Sequence, residues 1–279
     1  MSRHFAALLL LDRVVELDVT ELARAVRQAY PQIGDVDGIP GQGRSGDSGL
    51  IRIDGGNVVI SITPGSMRAH QFSPKLHVMR AWDPAAAVAR HEAGMTISCG
   101  GSLKGLEGAK AYAAAVHFVA AALVNVVPTL AVFWQRGYAL TDPVDFQDST
   151  RSLLSGRMPL GAWVSFASIV PRGYTPLSAQ GMVTYGMKPF IGREIELAPR
   201  PGTVRSAHDC ISAMARDTLD RGNLPVDGQR LLSQAGGGFP MTVRERTYWL
   251  RRDRSAFVLV SDDAVIDPVT LKPLTRPAA

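Results

Sequence analysis

Five arginines, Arg244, Arg246, Arg251, Arg252 and Arg254, fall within eleven residues and are interleaved with Tyr248 and Trp249. Against Glu245 and Asp253 they leave a local charge of +3, which equals the excess of 17 basic over 14 acidic side chains between residues 141 and 279. Guanidinium forks grip carboxylates or phosphates bidentately, while Trp and Tyr supply the rigid apolar area of protein-binding hot spots. The same rings could stack on nucleic-acid bases, or the segment is a salt-bridged edge with its aromatics in the core. A second candidate is the run Cys99-Gly100-Gly101-Ser102-Leu103-Lys104-Gly105. A glycine-rich turn feeding a helix offers backbone N–H groups and a positive dipole end to an anion, and Lys104 adds charge. The spacing matches neither the P-loop nor the dinucleotide fingerprint. Its other reading is a tight turn that lets helix and sheet pack closely.

Glu194 and Glu196 alternate, so a strand would put both carboxylates on one face and Ile195 and Leu197 on the other. Such a pair suits acid–base work or cation binding, although half-exposed strands carry the same pattern for solubility. Metal chemistry finds less support. His70 and His77 are seven apart, His91 adjoins Glu92, and His208-Asp209-Cys210 are consecutive at a helix start. None forms the close pair that zinc sites use, and consecutive helical residues diverge by about 100°. Cys99 and Cys210 lack a recognisable nucleophile pattern. No catalytic set, metal site or cofactor is expected from these residues.

These side chains sit in a chain of 279 residues, 46% hydrophobic and 20% charged, which is enough to bury one large core or two smaller ones. That hydrophobic share argues against disorder, and two cysteines exclude a disulfide-built scaffold and suit a reducing compartment. The net charge of +5 permits nucleic-acid binding without demanding it. Residues 5–11 are too short for a secretory signal and lack a cleavage site. Residues 111–127 are apolar but alanine-rich, contain His117 and Asn125, and fall short of a membrane span. A buried core helix in a cytoplasmic protein is the expectation.

Periodicity then places the elements. Strands are expected over 5–11, 50–53, 58–63 and 95–99, with helices over 19–30 and from Pro84, behind the Asp83 cap, to about residue 93. A Gly/Asp-rich loop fills 34–49, and residues 54–57 signal a hairpin turn. A long helix covers 106–127. The pattern then restarts with strand 130–134, a helix capped by Asp142-Pro143, strands 163–170, 179–185 and 193–197, helix 203–220 and strand 257–260. The expected fold class is α+β, with two ferredoxin-like βαββαβ halves around a central Ala-rich helix. The expected divisions are 1–105, the linking helix 106–128, and 129–279 with an irregular insert at 221–255.

From Ser178 the chain reads SAQGMVTYGMKPFIGREIEL. Gly181-Met182, Tyr185-Gly186 and Glu194-Ile195-Glu196 resemble the motif of a bacterial family with the domain of unknown function 4261. Upstream, the apolar first strand, the strand at 58–63, Trp82-Asp83, the Ala-rich helix and Phe133-Trp134 come in the same order as in its longer members. The chain departs by carrying Lys188-Pro189 and Ile191-Gly192 inside the motif, which lengthens the connection before the acidic strand. The resemblance implies no assigned activity. Its members look like accessory genes, some beside toxin and secretion-system genes, which implies an immunity or accessory protein acting by protein–protein inhibition. A basic docking segment would suit a toxin or effector with an acidic face, and would suit a nuclease poorly. The alternatives are an enzyme or sensor holding a phosphorylated ligand at Gly100–Gly105, and nucleic-acid binding through Arg244–Arg254.

Overall fold

The computed structural model describes residues 3–16, 18–41, 48–53, 56–67, 72, 82–101, 104–169, 179–232, 240–247 and 255–261. The chain is α+β and divides into two units, Met1–Trp163 and Val164–Ala279. Among the described residues no helix is long and apolar enough to cross a membrane.

The first unit contains, in order, β1 (Arg3–Leu11), α1 (Val19–Ala29), β2 (Asp37–Pro40), β3 (Ser48–Ile53), β4 (Gly56–Pro64), α2 (Pro84–Arg90), β5 (Ala93–Gly101), α3 (Gly105–Val124), β6 (Thr129–Trp134), β7 (Ala139–Thr141), α4 (Pro143–Leu154) and α5 (Leu160–Trp163). Its sheet runs β2-β3-β4-β5-β1-β6-β7, with every neighbouring pair antiparallel. The apolar run of β1 reflects its place. Phe5 to Leu11 are all buried, because the strand is covered on both faces. On one face α3 packs; on the other, Leu8, Leu10, Ala131 and Phe133 meet Ala87 and Val88 of α2.

The two expected caps, Asp83 and Asp142, formed, and Asp18 caps α1 in the same way. Asp18 Oδ1 accepts from the N–H groups of Thr20 and Glu21, Asp83 Oδ1 from Ala85 and Ala86, and Asp142 Oδ1 from Val144. α2 ends at Arg90, sooner than expected, because His91 is extended and its ring is occupied elsewhere. Its Nδ1–H donates to the Val88 carbonyl at 2.5 Å, and Nε2 accepts from the Met67 N–H at 2.8 Å.

Three expectations are corrected. The first half is not ferredoxin-like, since that order sets the first strand beside the third. Here the 34–49 region contains an extra strand, β2, and with one more reversal β5 inserts between β4 and β1, antiparallel to both. Nor does the chain restart at residue 129. β6 pairs with β1, and α3 packs on β1 and β5 beside α1 and α4, so it is core of the first unit and no link between halves. Third, Trp163 closes the helical turn α5 and does not open a strand.

The second unit contains β8 (Ser165–Ile169), β9 (Gln180–Tyr185), α6 (Lys188–Ile191), β10 (Glu194–Arg200), α7 (Val204–Arg221), β11 (Arg230–Leu232), β12 (Pro240–Thr247) and β13 (Ser255–Ser261). Its sheet runs β11-β12-β13-β10-β9-β8, with β10 and β13 parallel and the other pairs antiparallel. The supposedly irregular insert therefore supplies two strands. Thr203 caps α7 through a reciprocal pair with Ser206, and α7 packs on β9 and β10.

Candidate functional site

The Gly181–Glu196 segment folds into β9, a turn, α6 and the start of β10. Gly181 lies against β10, where a Cβ would sit 2.7 Å from the Leu197 carbonyl oxygen. Gly186 has φ 117, a backbone that side chains disfavour. The N–H groups of Gly186 and the two residues after it converge on Glu194. Oε1 accepts from Gly186 at 3.0 Å and Lys188 at 3.3 Å; Oε2 accepts from Met187 at 3.0 Å and the Thr184 hydroxyl at 2.8 Å. Burial pushes the Glu194 carboxyl above its ordinary range, against the pull of those hydrogen bonds. Both oxygens are committed to holding a turn, so Glu194 acts as a structural acceptor. The residues that lengthen the connection, Lys188-Pro189 and Ile191, become α6, closed by Gly192 at φ 84. Tyr185 lies half-buried at the end of β9, packed against a core cluster that includes Val183 and Val258.

Glu196 is fully buried in the middle of β10. Its register partners are Val183 and Val258, and Val258 in turn pairs with Arg244 of β12. Glu196, Val258 and Arg244 thus form one row across the sheet, and Glu194, Ala256 and Arg246 form the next. The two charged groups found separately in the sequence share these rows with one strand between them, about 10 Å from backbone to backbone. Arg244 is half-buried and forms no ion pair among the described residues. Tyr248, Trp249, Arg251, Arg252 and Arg254 lie outside the described residues.

Gly100 and Gly101 are exposed at the end of β5, and a Cβ on Gly101 would sit 2.2 Å from the Tyr112 hydroxyl. This glycine therefore serves close packing of α3 on the sheet. Lys104 is the N-cap of α3 and makes no side-chain cap bond. Sequence reasoning missed what stands opposite. Register sets His4 against Gly100, and Arg136 of the β6–β7 turn donates from Nε to the His4 carbonyl at 3.3 Å. Burial and the Arg136 charge hold the His4 imidazole below its usual range.

A second missed cluster is internal. His117, fully buried in α3, accepts at Nδ1 from the Trp163 indole N–H at 3.1 Å. Its proton therefore sits on Nε2, which faces the hydroxyls of Thr150 at 3.2 Å and Ser149 at 3.3 Å. The ring stacks on Phe146 at 4.2 Å, and burial pushes its pKa down to about 3. His208 is exposed beside Asp209 and edge-on to Phe166, whereas Cys210 is buried with Sγ 3.4 Å from Met241 Sδ. Burial pushes the Cys99 thiol up to about 11. His70 and His77 lie outside the described residues, among which no three His, Cys, Asp or Glu side chains are grouped to hold a metal.

No family model matches the chain, and no curated protein or solved structure matches it.

Proposed function

We propose that this chain is a non-enzymatic binding protein, an immunity or accessory protein that neutralises a toxin or effector by direct contact with an acidic face of its target. The observation that carries the reading is the placement of Arg244 and Arg246 at alternate register positions of β12, leading directly into the Arg/Trp/Tyr segment 248–254. A strand holds alternate arginines at a fixed spacing, which favours bidentate capture of carboxylates over diffuse attraction. The chemically capable side chains of the described core support the same reading. Glu194 holds a turn, His117 is locked as a neutral hydrogen-bonding ring, both ring nitrogens of His91 are taken up by backbone groups, and the Cys99 thiol stays protonated at neutral pH. Two buried free thiols fit a reducing cytoplasmic setting.

The test is binding of the full chain to the purified products of its adjacent genes. A stoichiometric complex is expected, weakened about tenfold or more by Arg244→Glu with Arg246→Glu, and further by Arg251→Glu with Arg252→Glu. Failure to bind any adjacent product would remove the reading. Tight binding to nucleic acid, falling steeply with salt, would transfer the arginine segment to that role.

A further inference from the structure

We propose that the end of the first sheet where β1, β5 and the β6–β7 turn meet binds a phosphate-type dianion, inorganic phosphate or a phosphate monoester, held by His4 and Arg136 beside Gly100. The register of β1 with β5 sets His4 directly opposite Gly100, so the imidazole faces a strand position that carries no side chain. Arg136 reaches the same place from a different element, anchored by its Nε on the His4 carbonyl. His4, Gly100 and Arg136 are all exposed, which leaves the corner open to a small ligand.

The turn that delivers Arg136 is held in an unfavourable shape. Tyr138 has φ 50, the one non-glycine residue with positive φ among those described. At the neighbouring Gly137 a Cβ would lie 1.9 Å from the Trp163 carbonyl oxygen, so this turn is pinned against α5. Backbone strain of this kind gathers where ligands are held. The electrostatics agree with the geometry. Arg136 is the charged group that acts on His4, and together with burial it disfavours the imidazolium. An anion between the two removes that repulsion, so His4 takes up a proton on binding and affinity rises as pH falls. The site belongs to Met1–Trp163 and uses none of the β12 arginines, so its failure would leave the protein-binding proposal untouched.

Sulfate is the first probe, because its charge stays constant across neutrality and any pH dependence belongs to the protein. Calorimetric titration of the full chain should show sulfate binding about tenfold tighter near pH 6 than near pH 8. Arg136→Gln should weaken it about tenfold or more, and His4→Gln should abolish the pH dependence. Lys104→Gln should leave affinity unchanged. Inorganic phosphate and methyl phosphate, compared at one pH, assign the free ion or the monoester as the better fit. No saturable binding of sulfate or phosphate, or equal binding by wild type and Arg136→Gln, overturns the proposal. Loss confined to Lys104→Gln also overturns it, by moving the anion to the start of α3.

Discussion

The indole N–H of Trp163 donates to Nδ1 of His117 at 3.1 Å, and this bond ties the last residue of the first unit to the middle of its most buried helix. Because Nδ1 accepts, Nε2 must donate, and Thr150 and Ser149 of α4 receive it. One neutral imidazole thereby stitches α3, α4 and α5 together. Trp163 stacks on Trp134 at 5.6 Å, which closes the cluster against β6.

Protonating His117 would set an N–H against the Trp163 N–H, and among the described residues no anion stands beside the buried ring. Its pKa is lowered from 6.5 to about 3, so the unfolded chain binds this proton more readily than the folded one. Stability then rises with pH across that window, and the contribution is lost as pH falls from 6.5 toward about 3. The full linkage is on the order of 5 kcal/mol. Urea melts at stepped pH should show this slope in wild type, and His117→Gln should flatten it. His117→Ala should cost about 2–4 kcal/mol through the cavity and the orphaned Trp163 donor. An unchanged acid slope in His117→Gln would count against the neutral, tautomer-locked ring.

Glu194 carries a linkage of opposite sign. Its folded pKa is raised, so the folded state holds the proton more tightly than the unfolded chain does. The stability this contributes is present below the ordinary value of 4.5 and is lost as pH rises through the folded pKa. Glu194→Gln should remove that decline while turning an amide N–H toward backbone donors. Glu194→Ala leaves the N–H groups of Gly186, Met187 and Lys188 without their acceptor and should cost about 2–4 kcal/mol. Paired melts of the two variants measure both. Near-wild-type stability of Glu194→Ala would show that the turn does not depend on the carboxylate.

Gly137 and Gly161 make a contrasting pair. A Cβ at Gly137 meets the Trp163 carbonyl at 1.9 Å, whereas at Gly161, in α5, it meets nothing within 4 Å. Gly137→Ala should destabilise by about 3 kcal/mol. Gly161→Ala should be neutral or stabilising by about 0.5–1 kcal/mol, through helix propensity and a less flexible unfolded chain. Thermal midpoints of the two variants decide it, and equal midpoints would contradict the pinned turn.

Features set by local sequence were legible in the chain, and features set by strand pairing were not. The strands β1, β4, β5 and β9 are apolar runs with clear ends, and the caps Asp83 and Asp142 announce their helices by residue type. β2 is Asp37-Gly38-Ile39-Pro40, a composition that reads as loop. Gly38 is there for closeness, since a Cβ would fall 2.4 Å from the Val19 carbonyl. Without that short strand, the inferred directions of β3 and β4 are reversed and the sheet order comes out wrong. β12 hid behind its charges, although Met241 and Val243 alternate with Thr242 and Arg244 on the strand period. Glu194 and Glu196 were rightly set on one face, yet Glu194's partners are backbone N–H groups that no side-chain pattern reveals. His4 and Arg136 are 132 residues apart and meet only because β1 lies between β5 and β6.

Cys99 tests that sheet order chemically. It lies on β5 between Phe5 of β1 and Val58 of β4, and its side chain is buried. Burial raises the thiol from 9.0 to about 11, which leaves about a hundredfold less thiolate than an unperturbed cysteine would offer. Cys210 is shielded by its contact with Met241. A water-soluble aromatic disulfide should therefore label native protein slowly at neutral pH, and should react promptly with both cysteines once the chain is denatured. The slow native rate should track global unfolding and fall further under stabilising conditions. Rapid labelling of Cys99 in the folded protein would mean that the end of β5 opens locally, and β5 would no longer be a central strand closed on both sides.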